Sequence, residues 1–157
     1  RSIDISAFSI IDKPETHYFV TVPTSRDTPL EKEIEMVVTE TKKYQLQRLH
    51  DASYGAILPA ENLYCGKFHD YSALYIELPV PARRKGLHIQ PKGKYLRAFC
   101  KGNWDNLPRR YAEILAYARE NNLQFYGSAY ERGINELVID SLNDYITQIE
   151  IPLKIGG

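Results

Sequence analysis

Apolar positions along the chain follow two periods. From Thr28 the spacing is helical, with Leu30, Ile34, Val37, Val38 and Tyr44 on one side and Glu and Lys positions left for solvent. Thr28-Pro29-Leu30-Glu31 opens this helix: Thr28 can cap it, Pro29 suits its first position and Glu31 completes a capping box. A second helix is predicted from about Pro108, with Tyr111, Ile114, Leu115 and Ala118 on one stripe and its end near Asn121-Asn122. Elsewhere β-branched and aromatic residues predict strands at residues 17–23, from Tyr54-Gly55, at 72–78, at 95–101, at 127–135 and at 145–151. Pro79 and Pro152 stop two of them, because proline has no N–H to give to a sheet ladder.

These elements form one unit written twice. A strand, a helix, a strand opened by Tyr54-Gly55 and a strand led by Asp70-Tyr71 make the first copy. The second has the same order, with Tyr126-Gly127 and Asp144-Tyr145 in the matching places. From Pro29 to Tyr54 is 25 positions and from Pro108 to Tyr126 is 18, a difference of about two helical turns. An internal repeat constrains a fold more than local propensity does. The expectation is a single α+β domain over residues 1–157, with repeat one at about 17–80, a Pro/Gly-rich connector at 81–93 and repeat two at about 94–153. An antiparallel sheet would carry two helices on one face, with a ligand pocket at the seam between the repeats.

Composition narrows the function classes. Hydrophobic residues at 43% and charged residues at 25% are ordinary for a globular protein, and 157 residues can bury a substantial core. Twenty basic residues balance twenty acidic ones, whereas a nucleic-acid-binding domain usually carries a basic excess. The one basic run, Arg83-Arg84-Lys85, reads as solvated charge, so no direct nucleic-acid contact is expected from this domain. Cys65 and Cys100 fit no metal or redox spacing, and His17, His50, His69 and His88 are scattered, so no metal or cofactor is expected. No apolar run approaches the ~18 residues that span a bilayer, and no signal peptide is evident, so the expected location is the cytoplasm without a membrane partner. The chain begins at Arg1 rather than Met, which suggests a piece of a longer protein.

Candidate chemistry rests on tyrosines and one acid. Twelve Tyr outnumber five Phe and one Trp, although a buried phenol must find a partner for its hydroxyl. They line either a half-exposed sheet face or a concave site for flat or cationic molecules. In the strand at 127–135, alternation groups Ala129, Glu131 and Gly133 on one face and Ser128, Tyr130 and Arg132 on the other. Small neighbours leave space over Glu131. The pattern fits a cavity acid and a surface Glu paired across the sheet equally well.

Pro91-Lys92-Gly93-Lys94-Tyr95, the helix after it, Tyr130-Glu131 and the ending from Asp144-Tyr145 to Ile149-Glu150-Ile151-Pro152-Leu153 resemble the GyrI-like effector-binding domain of bacterial MerR- and AraC-family regulators. The resemblance covers most of the chain and is sharpest from Pro91 to Leu153; the first half departs from the pattern. It implies a duplicated strand–helix–strand–strand fold that binds small lipophilic cations between the copies. Glu131 matches the acid that faces the ligand's charge, Tyr145 and Tyr54 match pocket tyrosines, and Tyr95 and Phe99 lie on a strand that contributes a further ring. Tyr130 and Trp104 complete the expected ligand set. An N-terminal DNA-binding domain of the full-length protein, absent from this chain, would be its partner.

The expected function is therefore a ligand sensor rather than an enzyme. A GyrI-like hydrolase using Glu131 as general base is the alternative, although no GxSxG elbow, HExxH helix or P-loop is present. A protein-interaction module is a third reading, and it calls for an exposed apolar patch rather than a lined cavity.

Overall fold

The computed structural model describes residues 4–15, 18–23, 53–77, 88–134 and 144–154, together with helical Lys32, Glu35 and Thr39. The remainder of the helix predicted from Thr28, Pro79 and the Arg83-Arg84-Lys85 run lie outside the described residues. The described residues form eight strands: β1 Ser9–Lys13, β2 Tyr18–Pro23, β3 Ser53–Pro59, β4 Ala73–Glu77, β5 His88–Ile89, β6 Gly93–Lys101, β7 Ser128–Gly133 and β8 Ile146–Pro152. A short helix α1, Ala60–Tyr64, follows β3, and α2, Leu107–Glu120, precedes β7.

The sheet is antiparallel in the order β1-β6-β8-β7-β3-β4-β2-β5. Repeat two contributes β6-β8-β7 and repeat one contributes β3-β4-β2, so the six strands read the same from either end of the unit. The duplicated strand order is thus present, with its seam at the β7/β3 pair, where Glu131 faces Ala56 in register. The edges are exchanged. β1, ahead of repeat one, pairs with β6 of repeat two, and β5, ahead of repeat two, pairs with β2 of repeat one.

That exchange curls the sheet. Six inter-strand steps separate β6 from β5, which is about 29 Å in a flat sheet. Four residues of chain from Ile89 to Gly93 reach only about 14 Å. The start of β6 and the end of β5 must therefore approach each other around one face. Residues 88–92 cross that concave face, which buries Tyr75, Tyr95 and Tyr130 with Ile57 and Ala73. The convex face packs on α2: Leu107, Tyr111, Ile114 and Ala118 meet Leu96, Ala98, Ile149 and Ile151.

Helix α2 starts at Leu107-Pro108, with the proline in its first turn, and Asn121 and Asn122 follow its last turn, as the sequence predicts. Three elements differ from the sequence reading. The stretch 81–93 is not only connector, since β5 and the first residue of β6 fall in it. β1 and α1 were not predicted. β1 is a largely exposed edge strand, SIIDK, whose alternation is too weak to read. α1 is a single turn after Pro59 that buries only Ala60 and Leu63, too short to show a period.

Candidate functional site

Strand β7 positions the acid. Ala129 and Glu131 face α2, while Tyr130 faces the concave side. Glu131 stands opposite Ala56 on β3 and Ile149 on β8, so its cross-strand and along-strand neighbours are small or apolar. It is 6% exposed. Its carboxylate is capped by two phenols. Tyr71 donates to both oxygens, at 2.9 Å to Oε1 and 3.0 Å to Oε2, and Tyr111 donates to Oε2 at 2.5 Å. Phe68 stacks on the Tyr111 ring with centroids 5.6 Å apart. Tyr71 and Phe68 come from the segment between α1 and β4, Tyr111 from α2. Both repeats thus supply the site.

The backbone under the acid is held from the other face. Tyr75 of β4 donates to the Glu131 carbonyl at 2.8 Å. It reaches across the cross-strand Gly55, where a Cβ would lie 2.1 Å from the Glu131 carbonyl oxygen and 2.3 Å from Tyr75 Cζ. The Tyr54-Gly55 pair therefore needs its glycine for close approach of a neighbouring ring and strand.

Burial pushes the Glu131 carboxyl up, to about 7, even though the Tyr111 and Tyr71 hydrogen bonds pull it down. Burial also drives Tyr111 far above the ordinary phenol range, with the Glu131 charge adding to it. The second buried acid behaves in the opposite way. Glu150 sits on the concave face, bonded to Arg97 at 2.7 Å and Lys13 at 3.0 Å. Burial pushes it up as well, but Arg97 and Lys13 outweigh burial and hold it below the usual carboxylate range. Arg97 is its cross-strand partner in register. The structural pairing that pattern alone allowed for Glu131 is what Glu150 has. Glu131 is buried against neutral donors.

The other expected ligand residues divide by face. Tyr145 extends β8 by accepting from Gly102 N–H at 2.7 Å, and alternation puts it on the same side as Thr147 and Ile149, the side of Glu131. It is buried, with the 42% exposed Trp104 edge-on to its ring at 5.8 Å. Tyr130, Tyr95 and Phe99 project from the concave side instead, because each is one position out of step with Glu131, Leu96 or Ala98. Tyr130 O–H and His88 Nε2 lie 2.6 Å apart, and Tyr95 donates to the Pro91 carbonyl at 2.6 Å. The Tyr54 backbone belongs to β3, and its side chain lies outside the described residues. Tyr71, Tyr111 and Phe68 were not among the expected site residues. The repeat itself held the signal for Tyr71, which stands where Tyr145 stands in the other copy. Tyr111 was hidden because a tyrosine at helical spacing reads as core.

Among the described residues no group of three or more His, Cys, Asp or Glu could hold a metal, and no helix is long and apolar enough to cross a membrane. Cys65 and Cys100 are both free.

No family model matches the chain. It is 27% identical over 124 residues to the "Multidrug-efflux transporter 2 regulator" of Bacillus subtilis, a match covering 77% of this chain and 43% of that protein. The chain thus spans less than half the length of the curated relative it matches. Among solved structures it is similar to the C-terminal domain of EcmrR, with a TM-score of 0.72 and 17% identity over 96% of this chain and 98% of that one. A hydrolase from Listeria innocua has a TM-score of 0.58 with 11% identity, covering 94% of this chain and 91% of that one. The resemblance to regulator effector-binding domains therefore holds: in sequence the chain is a relative of a multidrug-efflux transporter regulator, and it has the fold of the EcmrR C-terminal domain.

Proposed function

We propose that this chain is the effector-binding part of a bacterial transcription regulator in the cytoplasm, and that it takes up lipophilic aromatic cations at Glu131. One observation carries the reading: a carboxyl buried at the seam of the two repeats, whose described hydrogen-bond donors are both uncharged phenols. Burial disfavours the ionised form, and a cationic ligand supplies the missing charge. Tyr71, Tyr111 and Phe68 surround the acid with aromatic surface, and each ring face adds roughly 0.5–2 kcal/mol for a desolvated cation. Tyr145 and Trp104 extend that aromatic surface along the same side, and Tyr54 is the remaining first-repeat candidate. Such recognition depends on charge and apolar area more than on shape, so several cations are accepted. Tyr130, Tyr95 and Phe99 support the strands from the concave side rather than touching the ligand.

The response belongs to a longer protein, in which a DNA-binding domain N-terminal to this one reads the occupied state through differential affinity for two conformations. The reading is tested by titrating the chain with aromatic quaternary ammonium ions while following Trp104 emission. Saturable binding that Glu131→Gln weakens tenfold or more supports it, and binding indifferent to that substitution refutes it.

A second reading has a specific observation in its favour. A carboxyl held near 7 beside two phenols suits a general base at neutral pH, and hydrolases share the fold. Turnover of small electrophilic esters or epoxides that Glu131→Gln abolishes would favour it over the sensor.

A further inference from the structure

Helix α2 carries two neighbouring side chains that hold different parts of the molecule. Tyr111 points to the sheet and donates to Glu131. Arg110, one position earlier and turned about 100° around the helix, grips the N-terminal segment. Its Nη2 donates to the carbonyls of Ile5 at 3.0 Å and Ser6 at 3.3 Å, and its Nε to the Phe99 carbonyl on β6 at 2.8 Å. The guanidinium lies over the Phe8 ring, 4.4 Å from its centroid, and Nη1 bonds Glu113 at 2.9 Å. Phe8 also stacks on Tyr117 of the same helix, with centroids 4.5 Å apart. The next residues form β1, paired with β6. Residues 5–13 are thus a clasp fastened to repeat two at the helix and at the sheet edge, and Arg110 is the side chain that joins them.

We infer that Arg110 is a positioning residue that couples the Glu131 site to this N-terminal clasp. The inference rests on the sensor reading of Glu131. A cation or a proton arriving at the carboxylate changes what Tyr111 bonds to, and α2 is a 14-residue helix whose adjacent residues cannot move independently. A shift at Tyr111 is therefore a shift at Arg110, where carbonyl acceptors and a ring contact set a tight geometry. The described residues bring the Glu131 site and the N-terminal segment onto one helix, and coupling follows where that helix has two arrangements that both sites bias. Reciprocity then follows: if ligand loosens the clasp, a loosened clasp binds ligand more tightly by the same factor.

The experiment is amide hydrogen exchange of the peptide covering residues 4–13 in the full chain, with and without saturating phenyltrimethylammonium. Binding is measured in parallel by calorimetry. In the wild type the cation is expected to speed exchange of this peptide severalfold. In Arg110→Gln exchange is expected to be fast already and insensitive to the cation, which binds a few-fold more tightly. Restored sensitivity in Arg110→Lys would show that the grip needs only a cationic donor. Binding with unchanged exchange in the wild type overturns the coupling, as does a ligand response that survives Arg110→Gln. If the cation does not bind the wild type, the sensor reading fails instead, and a ligand-free arm still decides the coupling. Tyr111→Phe is expected to speed exchange of residues 4–13 when Arg110 is present and to leave the Arg110→Gln background unchanged; equal behaviour in both backgrounds overturns it.

Discussion

Tyr111 on α2 and Glu131 on β7 are joined by a 2.5 Å hydrogen bond inside the apolar layer between helix and sheet. With Tyr71 on the other side of the carboxylate, it lets a carboxyl group survive burial without a cation in the described structure. Removing either hydroxyl takes away a group that lowers the Glu131 pKa. Hydrogen bonds to charged groups contribute about 1.5–3 kcal/mol, so Tyr111→Phe and Tyr71→Phe should each raise that pKa by about one unit or more. Side-chain carboxyl carbon shifts followed by NMR across pH would read this directly. An unmoved titration would mean that the phenols do not set the charge state.

The raised carboxyl ties stability to pH. Between the unfolded value of 4.5 and the folded value of about 7, the native state binds more protons than the unfolded one. The contribution of Glu131 is fully present below about 4.5 and is lost as pH rises through about 7. From pH 5 to pH 8 the wild type should lose roughly 2–3 kcal/mol relative to Glu131→Gln, which cannot ionise. Urea unfolding of both chains at the two pH values tests it. Glu150 acts with the opposite sign, since its depressed pKa stabilises the fold above the ordinary carboxylate range and is lost in acid. It is present in both chains and cancels in the comparison.

Ligand affinity should follow the same proton. On the proposed reading only ionised Glu131 attracts a cation, so affinity is expected to rise about tenfold per pH unit below about 7 and to level off above it. A calorimetric titration in buffers of different ionisation heat would also register the released proton. Affinity that is flat from pH 5 to pH 8 would contradict the assignment of Glu131 as the charge reader.

Gly55 is predicted to resist substitution for a reason specific to this site. A methyl there meets the Glu131 carbonyl oxygen at 2.1 Å and the Tyr75 ring. Overpacking of this kind typically costs about 1–3 kcal/mol, and here it also pushes on the strand that carries the acid. Gly55→Ala should therefore lower the melting temperature and weaken cation binding together. Tyr75→Phe, which removes only the hydroxyl above that carbonyl, should affect stability more mildly.

Much of this organisation was legible in the chain. The repeat gave the duplicated unit, because matching Tyr-Gly and Asp-Tyr landmarks recur at equivalent places, and the six central strands follow that order. Alternation through Ala129, Tyr130 and Glu131 by itself separates the two faces. The exchanged edge strands were not legible: β1 and the two-residue β5 take their places from pairing partners far along the chain, and neither has a period of its own. The family resemblance implied Glu131 as an acid between the copies, and the residue pattern did not show its partners. Tyr111 is one tyrosine on an apolar stripe, and only the packing of α2 against β7 reveals that its hydroxyl meets a carboxylate. Tyr95, Tyr130 and Phe99 look like pocket rings in sequence, yet the two-residue period turns them to the concave side. There Tyr130 meets His88 and Tyr95 meets the Pro91 carbonyl, satisfied by the chain that crosses beneath them.

On the proposed reading, a buried carboxylate whose described hydrogen-bond donors are uncharged phenols selects ligands by charge. The most direct measurement compares phenyltrimethylammonium with its uncharged isostere tert-butylbenzene, each titrated into the wild type and Glu131→Gln at pH 8. The substitution is expected to weaken the cation tenfold or more and to leave the neutral isostere within about threefold. Equal losses for both ligands, or none for either, would contradict it.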